Sequence, residues 1–426
     1  MNYSNYVLGD IADTFRGLPI PRARVSVENE IPYLHYGDIY KKYNYYFELS
    51  KHINDVIKIC ADEKIKKYQY LNTGDVVINL TSENYKDLGK SVFIRNDNGK
   101  LVSGMETTII KFNSDLFDPL FLKYYFDTQY FYNDIMQYVR GMKVFRVNPK
   151  DLLRAKLPDI HISEQREIAK YIKSLDDKIE INIKINKNLE EMAHAIYKSW
   201  FVDFEFPDED GEPYKFSDGE MVESELGFIP KGWEVKVIGD IIETTLGGTP
   251  SRKKKEYWNG EINWINSGKI NDFRIILPSE KITDLGLSKS STKILPKKTT
   301  VLAITGATLG QTSLLEIDSC TNQSVIGLIE NNKISYTFIF PMIQYEINNL
   351  ISRQTGGAQQ HINKNDVNSF KIILPNLKIL NSHNKIIREV YEKIAENLFE
   401  NKALSDIRDT LLPKLMSGEI IVPIEE

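Results

Sequence analysis

Apolar positions along this chain form two kinds of run, short β-like stretches and long helical stripes. Short runs of β-branched and apolar residues at Ile31–Leu34, Asp75–Leu80 and Thr107–Phe112, bounded by Gly, Asn and Asp, predict strands. Asp118-Pro119 ahead of Leu120-Phe-Leu-Lys-Tyr-Tyr-Phe126 predicts a helix start, with Asp as N-cap and Pro in the first turn. These elements make residues 1–160 a first globular domain. Residues 231–378 repeat the plan, with strands near Ile262–Ile265, Thr300–Thr305 and Ser324–Ile329. The expected fold class is mixed α/β (α+β): two similar domains built on twisted sheets.

The repetition extends to individual residues. Val7-Leu8-Gly9-Asp10-Ile11 returns as Val237-Ile238-Gly239-Asp240-Ile241, and the frame Ile31…Gly37-Asp38-Ile39 returns as Ile262…Gly268-Lys269-Ile270. Val147-Asn148 with Asp151-Leu152 returns as Ile362-Asn363 with Asp366-Val367, and Leu157-Pro158 as Leu374-Pro375. So long a period is not a solenoid unit; it is a duplicated domain-plus-helix with pseudo-twofold symmetry.

Each copy is followed by a heptad pattern, at 161–202 (a central spacer helix) and 379–416 (a distal one). The first places Ile168, Leu175, Asn182, Leu189 and Ile196 at one core position and Ile172, Ile179, Asn186, Ala193 and Trp200 at the other. The second places His383, Val390, Asn397, Leu404 and Leu411, then Ile387, Ile394, Asn401, Arg408 and Leu415; Pro413 is expected to end it near that point. An antiparallel pairing sets Asn182 against Asn401 and Asn186 against Asn397. The same register joins Leu189 to Ile394, Ala193 to Val390 and Ile196 to Ile387. It leaves Leu175 facing Arg408 and Trp200 facing His383, both uneasy. Such a pair puts like domains at opposite ends of a rod roughly 50 Å long at ~1.5 Å per residue, about fifteen base pairs of duplex at ~3.4 Å each.

Hydrophobic content of 42% and charge of 27% are ordinary for a globular protein. The net charge of −5 argues against a polyanionic partner until it is located. Residues 203–225, within an acidic linker at 203–230, hold ten acids against Lys215, so the remainder is net positive. Apolar runs such as Tyr336–Ile343 are too short to span a bilayer, and the start of the chain does not resemble a signal peptide; a cytoplasmic protein with no membrane partner is expected. Cys60 and Cys320 cannot build a disulfide framework or a zinc site.

Enzyme signatures are missing. No phosphate-cradling G-x-x-x-x-G-K-[ST] loop occurs, Asp118-Pro119-Leu120-Phe121 lacks the second proline of an aminomethyltransferase motif, and six histidines are scattered without ligand spacing. No catalytic residue, metal or bound cofactor is expected. Basic loops are present instead. Gly247-Gly-Thr-Pro-Ser251 runs into Arg252-Lys253-Lys254-Lys255, then Tyr257 and Trp258, a pattern suited to phosphate contact and stacking. Its counterpart carries Arg16, Arg22 and Arg24. Gly356-Gly357-Ala358-Gln359-Gln360-His361 answers to Arg140-Gly141-Met142-Lys143-Val144-Phe145-Arg146, and Asn79-Leu80-Thr81-Ser82 to Thr305-Gly306-Ala307-Thr308. The DNA-binding candidates are therefore Arg16, Arg22, Arg24, Asn79, Thr81, Lys143, Arg146, Arg252, Lys253, Lys254, Tyr257, Thr305, Gln359, Gln360 and His361. Arg22, Arg24, Arg252 and Lys253 are expected at phosphates, and Lys143, Arg146, Gln359 and Gln360 at base edges. A coiled-coil scaffold without sequence readout and an unrecognised nuclease are the alternatives.

Leu175-Asp-Asp-Lys-Ile-Glu-Ile-Asn182, Lys198-Ser-Trp-Phe-Val-Asp-Phe204, Ser224-Glu-Leu-Gly-Phe-Ile-Pro-Lys-Gly-Trp233, the Gly-Thr-Pro-Ser251 loop and Leu411-Leu-Pro-Lys-Leu-Met-Ser-Gly-Glu-Ile420 occur in order. With them the chain resembles the specificity subunit of a type I restriction-modification enzyme over essentially its whole length. The resemblance implies two target recognition domains (1–160 and 231–378), each reading half of a bipartite double-stranded DNA target, with the helices setting the gap and a tail at 417–426. It implies docking of two modification subunits that use S-adenosylmethionine, and of restriction subunits that use ATP and Mg2+. The Phe15–Arg24 segment departs from the Gly-Gly-Thr-Pro form, which leaves the first domain's contacts less defined.

Overall fold

The computed structural model describes residues 3–43, 46–96, 99–352 and 361–423. It divides into two compact units, one made of Met1–Glu180 with Lys402–Glu426 and the other of Ile181–Asn401. The divisions fall inside the two longest helices, α1 (Ile162–Tyr197) and α2 (Leu377–Met416).

In the first unit a five-stranded sheet runs Ala12–Arg16, Thr107–Phe112, Val76–Asn79, Ser91–Arg95, Tyr46–Glu48. Neighbours are antiparallel except the last pair, which is parallel. Successive side chains of a strand point to opposite faces. Val76 and Ile78 accordingly enter one core with Phe121 and Phe131, while Val77 enters another with Val92 and Ile109. Burial on both faces explains why this strand reads as a continuous apolar run. Asp118 caps the covering helix Pro119–Phe126, its carboxylate accepting from the Phe121 amide at 2.9 Å. Ile168, Ala169 and Ile172 of α1 and Leu412, Leu415 and Met416 of α2 complete the same core.

The second unit repeats this order with four strands: Glu243–Leu246, Val325–Ile329, Thr300–Ala303, Thr312–Leu314. Leu302, Ile326 and Leu328 face one core, and Val301, Ala303 and Val325 the other. Each unit also lays one short strand parallel to its second sheet, Val102–Ser103 on Tyr33–Leu34 and Cys320–Thr321 on Trp264–Ile265. Each ties its entry strand to its exit strand antiparallel, Tyr3–Val7 to Lys156–Pro158 and Glu234–Val237 to Lys371–Leu374. The duplicated sequence is a duplicated topology.

The acidic stretch is folded. Phe206 is buried and stacks on Tyr214 and Trp233 at 4.6 and 5.0 Å between ring centroids, and Met221–Ser224 pairs with Gly227–Pro230 as a hairpin. Aromatic packing organises it, while its carboxylates stay largely in solvent.

Pro413 lies within α2, and the helix ends close by, at Met416. A proline forfeits one amide bond to the preceding turn; here Leu412, Leu415 and Met416 are anchored in the first unit's core, and that burial outweighs the loss. The two uneasy pairings also resolve. Arg408 donates to Asp176 at 2.8 Å instead of facing Leu175 unsatisfied, and Tyr124 Oη donates to the same carboxylate at 2.8 Å. Burial raises the Asp176 carboxyl against the pull of Arg408.

His383 sits among Tyr197, Trp200 and Phe201, with neither ring nitrogen hydrogen-bonded among the described residues. Burial lowers its pKa to about 3. An unfolded imidazole takes its proton near pH 6.5. The folded state therefore declines a proton that the unfolded chain accepts. His383 leaves stability unchanged above that pH and erodes it as pH falls from 6.5 toward 3, by up to ~1.4 kcal/mol per pH unit. Comparing urea unfolding of His383→Phe and wild type across pH 7.5 to 5 should show a stability difference that is flat at first and then grows in favour of Phe. A difference independent of pH would show the ring to be solvated.

Candidate nucleic-acid interface

In each unit the candidate loops spring from one strand end, held by the same hydrogen bonds. Asn79 N donates to Lys90 O and Gly89 N to Asn79 O, both at 2.8 Å; Ala303 N donates to Gln311 O and Gly310 N to Ala303 O, both at 2.9 Å. One residue on, Val147 N donates to Leu80 O at 2.9 Å and Ile362 N to Ile304 O at 3.0 Å. Gly89 and Gly310 have φ of +81° and +83°, and a Cβ on either would lie 2.7 Å from Ile135 Cδ1 or 2.8 Å from Ile351 Cδ1. Both positions demand glycine for conformation and for space.

The side chains carried on this frame differ. In the first unit Thr81–Ser82 pairs antiparallel with Phe145–Arg146, and reciprocal bonds of 2.9 Å between the Arg140 and Arg146 backbones close a hairpin. Lys143 and Arg146 are exposed on it, and Thr81 is half-buried beside it. Asn79 is fully buried: its Nδ2 donates to Asp87 O at 3.3 Å and its Oδ1 accepts from the Thr81 amide at 3.4 Å. That side chain shapes the loop and does not face solvent. In the second unit Thr305 bridges His361, which is exposed. Gln359 and Gln360 lie outside the described residues.

The basic segments begin from a shared close approach. A Cβ on Gly17 would lie 2.0 Å from Gly104 O, and one on Gly247 2.2 Å from Asn322 O. The Phe15–Arg24 segment thus keeps the first glycine of the Gly-Gly-Thr-Pro form while losing the rest. Arg16 and Arg22 are exposed, whereas Arg24 pairs with Asp62 at 2.6 Å and Glu63 at 2.7 Å, and the Asp62 bond raises its pKa.

Arg252 is similarly engaged. It grips Glu280 with two bonds of 2.6 and 2.8 Å and lies 3.7 Å over the Trp258 ring and 5.1 Å from that of Trp264. The Glu280 bond raises its pKa, and Arg252 lowers that of Glu280 in return. Lys253 and Lys254 are exposed next to this clamp; Lys254 lies 3.7 Å from Glu256, and Tyr257 is half-buried. Sequence reasoning missed Glu280, Trp258 and Trp264 as partners of Arg252. The strand Trp258–Ile265, pairing with Glu280–Ile282, brings them together, and only the aromatic spacing hinted at it.

On the helices, Asn182 Nδ2 donates to Asn401 Oδ1 at 2.8 Å and to Glu400 at 2.7 Å. Asn397 Nδ2 donates to Asn186 Oδ1 at 2.8 Å, and Asn186 Nδ2 to Ile394 O at 3.3 Å. Ala193, Ile387, Val390 and Ile394 pack beside them, with Leu189 and Ile196 against the cluster. These contacts run antiparallel within the second unit.

A family model described as type I restriction modification DNA specificity domain matches residues 230–404. The type I restriction enzyme HindI specificity subunit of Haemophilus influenzae is 26% identical, covering 98% of this chain and 100% of its own length. The MjaIX specificity subunit of Methanocaldococcus jannaschii is 27% identical over 71% of this chain and 69% of its own. The crystal structure of a type I restriction-modification S subunit from M. genitalium shares the fold, with a TM-score of 0.60 at 15% identity over 97% and 96% of the two chains. The chain is thus similar to type I restriction enzyme specificity subunits over nearly its whole length.

The loops above are suited to contact with DNA. Their exposed cations and amides can contact phosphates and base edges, whereas among the described residues no three His, Cys, Asp or Glu side chains gather as a metal site. No helix among those residues is long and apolar enough to cross a membrane.

Proposed function

We propose that this chain is a specificity subunit that reads a bipartite duplex, each unit one half, while α1 and α2 set the gap and dock two methyltransferase subunits. The observation that carries the reading is the duplicated loop frame. Identical backbone bonds at Asn79–Gly89 and Ala303–Gly310 hold tips of different side-chain chemistry, as two readers of different half-sites require. Lys143 and Arg146 supply donors to bases in one unit; Gln359, Gln360 and His361 do so in the other, with Thr81 and Thr305 beside them. Arg16, Arg22, Lys253 and Lys254 contact phosphates. Asn79, Arg24 and Arg252 position the loops, since their side chains are buried or already engaged, and half-buried Tyr257 does so beside them. Apolar side chains exposed on the helices, including Ile181, Ile183, Ile185 and Met192 on α1 and Phe399 on α2, support the docking role. The modification subunits bring S-adenosylmethionine, and restriction subunits bring ATP and Mg2+ chemistry.

Methylome sequencing of a host expressing this chain with its methyltransferase partner tests the reading. Adenine methylation at one split motif with a fixed gap is expected; an active complex that marks no new motif would overturn it. In the same complex Lys253→Ala should weaken binding to every duplex and lower the salt slope by about one. An effect confined to the cognate duplex would move Lys253 from phosphate to base.

A further inference from the structure

We propose that Met142 is an apolar wedge that enters the base stack in the half-site read by the first unit. The inference rests on the reading of that unit as a DNA head and assigns a residue that the reading leaves idle. Met142 is 94% exposed, the most exposed large apolar side chain among the described residues. Isolated apolar residues on a surface need no explanation; this one stands at the tip of a braced loop.

The hairpin beneath it is closed by the two Arg140–Arg146 backbone bonds. Gly141 has φ of +108°, and a Cβ there would lie 2.1 Å from Val144 O, so the turn is tight. Phe145 stacks on Tyr85 at 3.7 Å between centroids, and Tyr132 Oη donates to Tyr85 O at 3.2 Å. Tip and base are thus held together through Thr81–Ser82 to the central sheet.

Charge decides what such a tip meets. Arg140, Lys143 and Arg146 are all exposed around Met142, a setting that draws in a polyanion and disfavours an apolar protein surface. Methionine is among the side chains that proteins drive between base pairs, and the cost of unstacking is recovered in contact area. A pre-braced loop loses little freedom on insertion. The corresponding stretch of the second unit, residues 353–360, contains no large apolar residue in its sequence. The wedge is therefore confined to one half-site.

The test uses the full chain assembled with its methyltransferase subunits and duplexes of the methylome-derived motif, each carrying one 2-aminopurine. Wild type should raise fluorescence at one step of one half-site, apart from the target adenine that the methyltransferase extrudes. Met142→Ala should abolish that rise and weaken binding about tenfold with the salt slope unchanged, while the target-adenine signal survives at saturating protein. Met142→Leu should restore both. No extra rise in wild type, a rise that persists in Met142→Ala, or sensitivity to uracil in place of thymine without any rise would overturn the wedge. Failure to bind the split duplex at all would instead strike the two-headed reading.

Discussion

Arg408→Ala should lower the stability of the first unit by about 3–5 kcal/mol, the usual cost of removing one partner from a buried ion pair. The Asp176 side chain has no exposed surface, and that of Arg408 is 10% exposed. Burial already raises the Asp176 carboxyl while Arg408 holds it down. Without the guanidinium, Asp176 keeps the Tyr124 hydroxyl and the field of the Lys123 ammonium. Urea unfolding of wild type, Arg408→Ala and Arg408→Ala with Asp176→Asn measures this. The neutral asparagine should recover part of the loss, because a neutral amide is far cheaper to bury than a carboxylate. A loss below ~1 kcal/mol would place the pair with ordinary surface bridges.

The second large effect is expected at the asparagine seam. Asn182→Ile leaves the Asn401 carbonyl oxygen without its donor inside an apolar seam, at a cost of about 1–3 kcal/mol. Asn401→Ile removes one of the two acceptors of the Asn182 amide and leaves it Glu400. The double substitution replaces both partners with apolar groups, so it should recover much of the summed loss. Strictly additive losses in a double-mutant cycle would mean that the two amides do not depend on one another. The isoleucine pair should also permit slipped or parallel alignments that the asparagines reject, visible as oligomers in sedimentation.

Much of this architecture is legible without coordinates, and the reason differs by element. Strands such as Val76–Asn79 announce themselves because they are buried on both faces and bounded by turn residues. The Asp118 cap is local chemistry, complete within four residues. The two asparagine layers stand out because a polar residue in an apolar stripe needs a partner, and the antiparallel register supplies one. What stays hidden depends on residues distant in sequence. The heptad sets Arg408 against Leu175; its true partner is the adjacent Asp176, fixed in turn by Tyr124 from the globular domain. Arg252 reads as a free cation until strand pairing delivers Glu280. Asn79 reads as a surface amide because nothing nearby shows that Asp87 and Thr81 will consume it.

The first unit's core draws on Leu412, Leu415 and Met416, with Ile420 and Val422 packed against it, far downstream of its strands. The second unit needs only the unbroken stretch Ile181–Asn401. On the ribosome, then, the usual order of domain completion is reversed. The amino-terminal sheet emerges early yet keeps an open apolar flank until α2 has been made, while the later unit can already close. Translation that stalls before Lys402 would leave a nascent chain with one finished head and one unfinished, and the unfinished one is where chaperones should bind.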